Sequence, residues 1–495
     1  WRGWTGRPGP LPGVVRQRVR FSARGRGPVM VDLVLAEPVP VRATLAAALF
    51  ALRPNTRISD AGTSRGPVQL AQRRPAAILV DERRINPRGR RPESYRSDAP
   101  RFALEFDSPG ARAGPAVQST MHRTAGVADS GRNAPPWEWP GASRWRHGAD
   151  AELAWPTVTA LRSVGIVECG YLPGRDPAAE ASLLAQLAMT GVVLHAPEVS
   201  DAVADLLAPQ LRGILAEPLP AQDTGPLALE IRSVRQRRAA LRAHSVQFGQ
   251  LGAPTVSAIL ATKRSEHLPA ILRAIAHQTY PELEIVLCLH GIELPDSCRE
   301  FLDHCGRPVE IVPVAGEVSF GIALGLATAR ASGSLVTKFD DDDTYGPQHV
   351  WDLVLARGFS GATLVGKGIE FVRLEDADVT IRRRSGQPEA ETDVVAGGTM
   401  LIARGDLEEL GGWRPVPRSV DRGLLDRVNR SGASIYRTHP LGYLYHRRSQ
   451  GHTWDATDEF FLRNARQRWE GLPRLAEFGT AVPDEAGAPT PTRRR

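Results

Sequence analysis

Four consecutive aspartates, Asp340 to Asp343, close the apolar run LVTKF and precede a Gly-Pro turn. Four adjacent carboxylates repel one another unless a cation or solvent absorbs the charge. Hard divalent ions such as Mg²⁺ and Mn²⁺ favour oxygen ligands. They commonly keep one or two protein carboxylates and complete the shell with phosphate and water. In an extended segment alternate side chains share a face, so Asp340 and Asp342 are expected to point one way and Asp341 and Asp343 the other. A metal on such a pair can bridge a diphosphate and neutralise charge on a leaving phosphate. Lys338, two residues upstream, is placed to pair with an aspartate or a phosphate. A merely solvated acidic loop fits poorly with a cluster that caps a buried strand.

The elements around the acids read as alternating strands and helices. TVSAILAT, LEIVLCLHG, VEIVPV and SLVTKF are strands, and SEHLPAILRAIAHQ is an amphipathic helix with Ser265 at its N-cap. SFGIALGLATARASG is a helix closed by Gly333. This rhythm predicts a doubly wound α/β layer, in which ligands bind outside the carboxyl ends of the strands. The aspartates sit at such an end. The spacing Asp340-x-Asp342-x-Thr344 also fits the nucleophile motif of haloacid-dehalogenase-type phosphatases. That chemistry needs a later lysine, for which Lys367 is the candidate, and it places its nucleophile on the first strand of the core, whereas three strands precede this one.

The chain has 495 residues, too many for one ordinary core, so two or three domains are expected. Residues 1–28 read as a flexible Arg-rich arm, 29–250 as a separate α/β region, 254–460 as the regular α/β domain and 461–495 as a helix with a disordered tail. Within the amino-terminal half, 178–211 reads as helix, buried strand and helix, and 229–245 as a basic helix. The Trp-rich stretch 135–145 is either a sugar platform or a packed loop. No apolar run reaches the length of about 18 residues that suggests a membrane helix, and the first 28 residues resemble no secretory signal. The formal charge is +7, yet only three of the 62 basic residues are lysine. Without a basic stripe interleaved with aromatics, nucleic acid is not an expected partner. The Arg runs read as solvated loops, with attraction to anionic headgroups as the sharper alternative. Four cysteines without a CxxC pair argue for reduced thiols in a cytoplasmic protein and against zinc.

Residues 254–460 resemble the family-two glycosyltransferases of GT-A fold. PTVSAILATKRSEHLPAILRAIAHQTYPELEIVL is similar to the family's opening strand, helix and Gln278–Pro281 turn. FDDDDTYGPQHV resembles its Asp-x-Asp-Asp metal motif, AGGTMLIARGDLEELGGW its acceptor-side block, and SVDRGLLDRVNRSG its base-bearing helix. The four blocks occur in the family's order. The resemblance implies a metal-dependent inverting glycosyltransferase that moves a sugar from a nucleoside-diphosphate donor to a sugar or lipid-linked acceptor. Cell-envelope polysaccharide synthesis at the inner membrane face is the implied setting, with peripheral membrane association. A catalytically silent carbohydrate-binding protein is the non-enzyme alternative.

By that resemblance Asp421 is the base. Thr262, Arg264, His290, Lys338, Asp340 and Asp341 contact the nucleotide-sugar. Asp340, Asp342 and Asp343 with His446 or His452 hold Mn²⁺ or Mg²⁺, and Gly397, Gly398 and Trp413 face the acceptor. Two positions depart from the family. The second strand ends at His290 where the family carries an aspartate that reads the base, and Val420 stands where it has a glutamate before the base. Residues 373–392 are expected to form a mobile polar loop over the acceptor side.

Overall fold

The computed structural model describes the strands at 14–21, 28–35, 101–106 and 144–147, short stretches between 78 and 95 and between 158 and 170, and residues 176–219, 225–250, 253–448 and 458–480. The chain forms two compact units, Ser59–Gly252, and Trp1–Ile58 together with Ala253–Arg495. Strands β1 (Val14–Phe21) and β2 (Pro28–Leu35) pair antiparallel. A flexible arm over 1–28 is therefore corrected at 14–21, where the β-branched and aromatic residues of VVRQRVRF pair as a strand.

In the unit Ser59–Gly252, strands β3 (Arg101–Phe106), β4 (Arg144–His147), β5 (Ile166–Glu168) and β6 (Leu194–His195) form a parallel sheet in the order β4-β3-β5-β6. Helix α1 (Pro177–Met189) starts with proline at its first turn, and the Asp176 carboxylate accepts from the Ala178 N–H. The basic helix read at 229–245 is α2 (Gly225–His244), and part of its basic face is turned inward. Gln236 donates to and accepts from the backbone of Leu194 on the edge strand β6, at 2.6 and 3.0 Å. Arg232 donates to the carbonyls of Leu194, Pro218 and Leu215. Buried backbone groups need partners, and here side chains supply what a further strand would have supplied. The Trp-rich residues 135–143 lie outside the described residues.

The larger unit is built on a mixed eight-stranded sheet, the architecture expected of residues 254–460. Its strands are β7 (Val256–Thr262), β8 (Leu283–His290), β9 (Val309–Val314), β10 (Leu335–Phe339), β12 (Leu364–Gly366), β15 (Ala390–Glu391), β16 (Leu401–Ala403) and β17 (Ile435–Arg437), in the order β15-β17-β12-β16-β10-β7-β8-β9. All seven residues of β7 are buried, as a strand covered on both faces requires. The chain runs from β7 outward through β8 to β9 and then returns to place β10 on the other side of β7, parallel to it. The strand order therefore reverses between β7 and β10, which makes their carboxyl ends the expected binding crevice.

Helices α3 (Leu268–Ala276), α4 (Phe320–Ala329), α5 (His349–Ser360) and α6 (Val420–Arg430) accompany this sheet. Ser265 opens a 3-10 turn and makes no side-chain cap; α3 begins after it, with Pro269 in its first turn. Helix α4 ends at Ala329 with Arg330 as its C-cap, not Gly333. Gly333 is needed because a Cβ there would lie 2.6 Å from the Ser257 hydroxyl.

A second sheet has the order β11-β18-β13-β14-β19, from β11 (Thr344–Tyr345), β13 (Phe371–Leu374), β14 (Val379–Arg383), β18 (Tyr443–Arg447) and β19 (Ala465–Glu470). Two expectations are corrected by it. Residues 373–392 are not a loop throughout: β13 and β14 pair as a hairpin with Val379 and Ile381 buried. The segment after 461 contributes a strand, β19, which pairs with β14. The four cysteines are unpaired. Among the described residues no helix is long and apolar enough to cross a membrane.

Candidate active site

Strand β10 ends at Phe339, and the acids that follow lie in a turn. Side-chain alternation fails outside extended backbone, so the expected pairing of Asp340 with Asp342 is corrected. The quartet is distributed in three directions. Asp340 accepts from Lys338 Nζ at 2.5 Å, and its own N–H donates to the Tyr345 hydroxyl at 2.8 Å. Asp341 and Asp342 share one cation: Arg264 holds both oxygens of Asp341 and reaches Asp342 Oδ2 at 2.8 Å. Thr262, at the end of β7, also donates to Asp341. Asp343 is bound on the far side, accepting from the Tyr443 hydroxyl at 2.7 Å and the His446 N–H at 3.0 Å.

The turn itself is held by the Gln278–Pro281 block. The Gln278 amide donates to the Gly346 carbonyl at 2.8 Å and accepts from the Val350 N–H at 3.1 Å, while the Thr279 N–H donates to Pro347. These residues resembled the family without an assigned task, and their task here is to position the segment after the acids.

Asp421 is brought to the same place from a distant part of the chain. Val420 is buried in the core with Leu424 and Trp413, which sets the phase of α6 and directs Asp421 toward β10. Lys338 Nζ lies 3.3 Å from Asp421 Oδ1. The two glycines between these acids are required by close approach. A Cβ on Gly397 would lie 2.1 Å from Asp421 Oδ2, and one on Gly398 would lie 2.7 Å from Asp340 Oδ2.

Electrostatics follow this crowding. Burial works against the Lys338 ammonium, but Asp340 and Asp421 more than offset it and hold the lysine above its usual value. Burial pushes Asp340 up to about 6, against the pull of Lys338. Burial also raises Asp343 well above the usual carboxylate range, with Asp342 and Asp340 adding repulsion.

His446 is held on both ring nitrogens, by Thr344 Oγ1 at 2.8 Å and Glu375 Oε1 at 2.9 Å, and burial lowers its pKa. Glu375 also accepts from Arg448 at 2.7 Å. Partial burial pushes Glu375 up, but hydrogen bonds from Arg448 and His446 prevail and hold it at about 2. Glu375 and Arg448 were not legible as site residues; the only hint was the basic pair directly after His446. A cavity of about 560 Å³ opens beside Asp341, Asp342 and Asp343, lined also by His267, Glu375 and His446.

Three expected site residues lie elsewhere or outside. His290 is 1% exposed and bonds the Val318 carbonyl through Nε2 at 2.7 Å, so it is part of the packed interior. Beside it Gly291, at φ 73°, abuts Gly316, where a Cβ would meet the Gly316 Cα at 2.6 Å. Trp413 is a core residue whose indole N–H donates to Thr328 Oγ1 at 2.9 Å, not an acceptor-facing ring. His452 lies outside the described residues.

The phosphatase alternative fails on its lysine. Lys367 is fully buried and donates to Asp352 at 3.0 Å and to the carbonyls of His439 and Leu441, while Thr344 is turned to His446.

The donor set also tests the metal. Among the described residues no three or more His, Cys, Asp or Glu side chains converge as a ready-made cup. Both Asp343 oxygens and both His446 nitrogens are engaged within the protein. Asp342 pairs with Arg264 at 2.8 Å and lines the cavity. This suits an ion that takes one or two carboxylates and leaves the rest of its shell to phosphate and water.

No family model matches the chain, and no curated protein matches it. Among solved structures it is similar to a mannosyltransferase, PcManGT from Pyrobaculum calidifontis, in complex with GDP-Man and Mn²⁺, at 17% identity over 40% of this chain and 59% of that one, TM-score 0.34. It is also similar to S. aureus TarS residues 1–349 with UDP-GlcNAc, at 15% identity over 41% and 61%, TM-score 0.34. A third is GalNAc-T7 with UDP, GalNAc and Mn²⁺, at 14% identity over 40% and 45%, TM-score 0.34. These neighbours are GT-A-type glycosyltransferases. The chain spans less than two thirds of each of them. A likeness at that score assigns no role to this chain.

Proposed function

We propose that the larger unit is an inverting glycosyltransferase acting on a nucleoside-diphosphate sugar and a hydroxyl of a carbohydrate or lipid-linked acceptor. The observation that carries this reading is the meeting of Asp421 with Asp340 across Lys338 at the reversal point of the sheet. Asp421 is one-third exposed, with one oxygen facing Lys338 and the other lying over Gly397. In the transfer, that second oxygen takes the proton of the acceptor hydroxyl as the hydroxyl oxygen bonds to the anomeric carbon. The bond from that carbon to the diphosphate oxygen breaks on the opposite face, and its electron pair leaves with the diphosphate.

Thr262 and Arg264 frame the donor side. Asp342, which lines the cavity, would hold Mn²⁺ or Mg²⁺, and such an ion would supply charge neutralisation for the leaving diphosphate. Cell-envelope polysaccharide synthesis remains the proposed setting.

A thermal-shift panel of UDP, GDP and their sugars, each with Mn²⁺ and with Mg²⁺, identifies the donor by its stabilisation. Asp421→Asn is then expected to keep that stabilisation and lose transfer by at least a hundredfold, the loss of a positioned base. Unchanged turnover in Asp421→Asn overturns the base assignment. Nucleotide stabilisation without turnover in the parent protein would favour the silent binding protein instead.

A further inference from the structure

We propose that Lys338 is a positioning residue for the base, its ammonium tying Asp421 of α6 to Asp340 of β10. This deepens the glycosyltransferase reading and rests on it. Lys338 is 3% exposed, on an interior strand paired with β7 on one side and β16 on the other. Its stem therefore cannot swing into solvent, and its charge is a permanent part of the site. The ammonium meets Asp340 Oδ1 at 2.5 Å and Asp421 Oδ1 at 3.3 Å, and the Phe320 ring of α4 stands 6.0 Å away.

Asp421 Oδ1 is closed off from solvent and has no hydrogen-bond donor in good geometry. The ammonium of Lys338 is thus the favourable charge this oxygen meets. The entry to α6 adds a second sign of imposed placement. Ser419 adopts φ 57° and ψ 31°, a left-handed conformation uncommon for serine. Val420 is locked in the core and Asp421 is closely opposed to Gly397, so the carboxylate is held between a backbone wall and a fixed cation. Without the cation, Asp340 and Asp421 would face one another as like charges, and the base would withdraw from the donor side.

The test uses the full chain and whichever UDP- or GDP-sugar gives the largest thermal shift. Lys338→Met is expected to lower kcat about a hundredfold, the effect of moving a reacting group by about 1 Å, with donor KM within about threefold of the parent. In the Asp421→Asn background the same substitution should lower kcat by less than about threefold, because the group it positions is already disabled. Lys338→Gln, polar but neutral, should behave like Lys338→Met and keeps the test available where the methionine variant does not fold. Parental kcat in these variants overturns the inference, and so does an undiminished hundredfold loss in the Asp421→Asn background, since a purely structural lysine gives that result. If Asp421→Asn is itself fully active, the base assignment falls and takes this inference with it. An inactive Asp421→Asn beside an active Lys338→Met removes this inference alone.

Discussion

Gly397→Ala isolates the active-site geometry from the rest of the fold. The added Cβ would lie 2.1 Å from Asp421 Oδ2, 2.6 Å from its Cγ and 3.1 Å from its Cβ. A carbon-to-oxygen contact relaxes only beyond about 3.2 Å, so the carboxylate must retreat by about 1 Å, given the dense packing of interiors. It is pressed from the other side by Lys338, 3.3 Å from Oδ1. A shift of about 1 Å in a catalytic group lowers rate about a hundredfold, or about 2.7 kcal/mol of transition-state stabilisation. The alanine backbone itself is permitted, because Gly397 is not among the residues of positive φ. The melting midpoint should therefore stay within a few degrees of the parent.

The assay is steady-state release of nucleoside diphosphate, with Gly325→Ala as the control. Nothing lies within 4 Å of a Cβ at Gly325, so that variant should retain full rate and gain slightly in stability. A folded Gly397→Ala with kcat within about threefold of the parent would show that Asp421 is not confined by the glycine, and the geometric reasoning would fail.

Two further perturbations probe the supports of the site. Lys367→Met removes a fully buried ammonium 3.0 Å from Asp352 of α5, and breaking a buried pair from one side costs about 3–5 kcal/mol. At 2–4 °C per kcal/mol for a unit of this size, the midpoint should fall by roughly 10 °C; a variant as stable as the parent would mean that His439, 3.3 Å from the other Asp352 oxygen, suffices alone. Glu375→Gln tests the clip to His446 and Arg448. Glu375 is depressed to about 2, so its stabilisation is fully present above the unfolded value of about 4.3 and is lost as pH falls through the folded one. The difference in midpoint between parent and variant should be constant from pH 7 to 5 and about half gone by pH 3, measured by thermal melts across that range; a difference that does not change down to pH 3 would contradict the assignment.

Much of the larger unit could be read along the chain because its signals are local. Continuous apolar runs define β7, β8 and β10, the period of SEHLPAILRAIAHQ defines a helix, and the aspartates stand at a strand end whatever the neighbours do. Asp421 was legible only through the order of four blocks, since a lone aspartate near a helix start has an ordinary explanation in the helix dipole. Long-range pairing decided the rest. Whether residues 373–392 form a loop or a hairpin depends on β18 and β19, which supply the strands they pair with. His290 and Trp413 have the right residue types for a site, and burial against α4 and its neighbours turned them into interior residues.

The sequence by itself determined that four adjacent carboxylates would need a cation or solvent to absorb their repulsion, since that follows from their adjacency alone. Only the tertiary structure decided what answers them: Arg264 for Asp341 and Asp342, Lys338 for Asp340 together with the distant Asp421, and the Tyr443 hydroxyl and His446 N–H for Asp343. The physical reason is that β10 stops at Phe339, so the direction of each acid is set by the turn that follows and by the groups that β7, β18 and α6 bring to meet it.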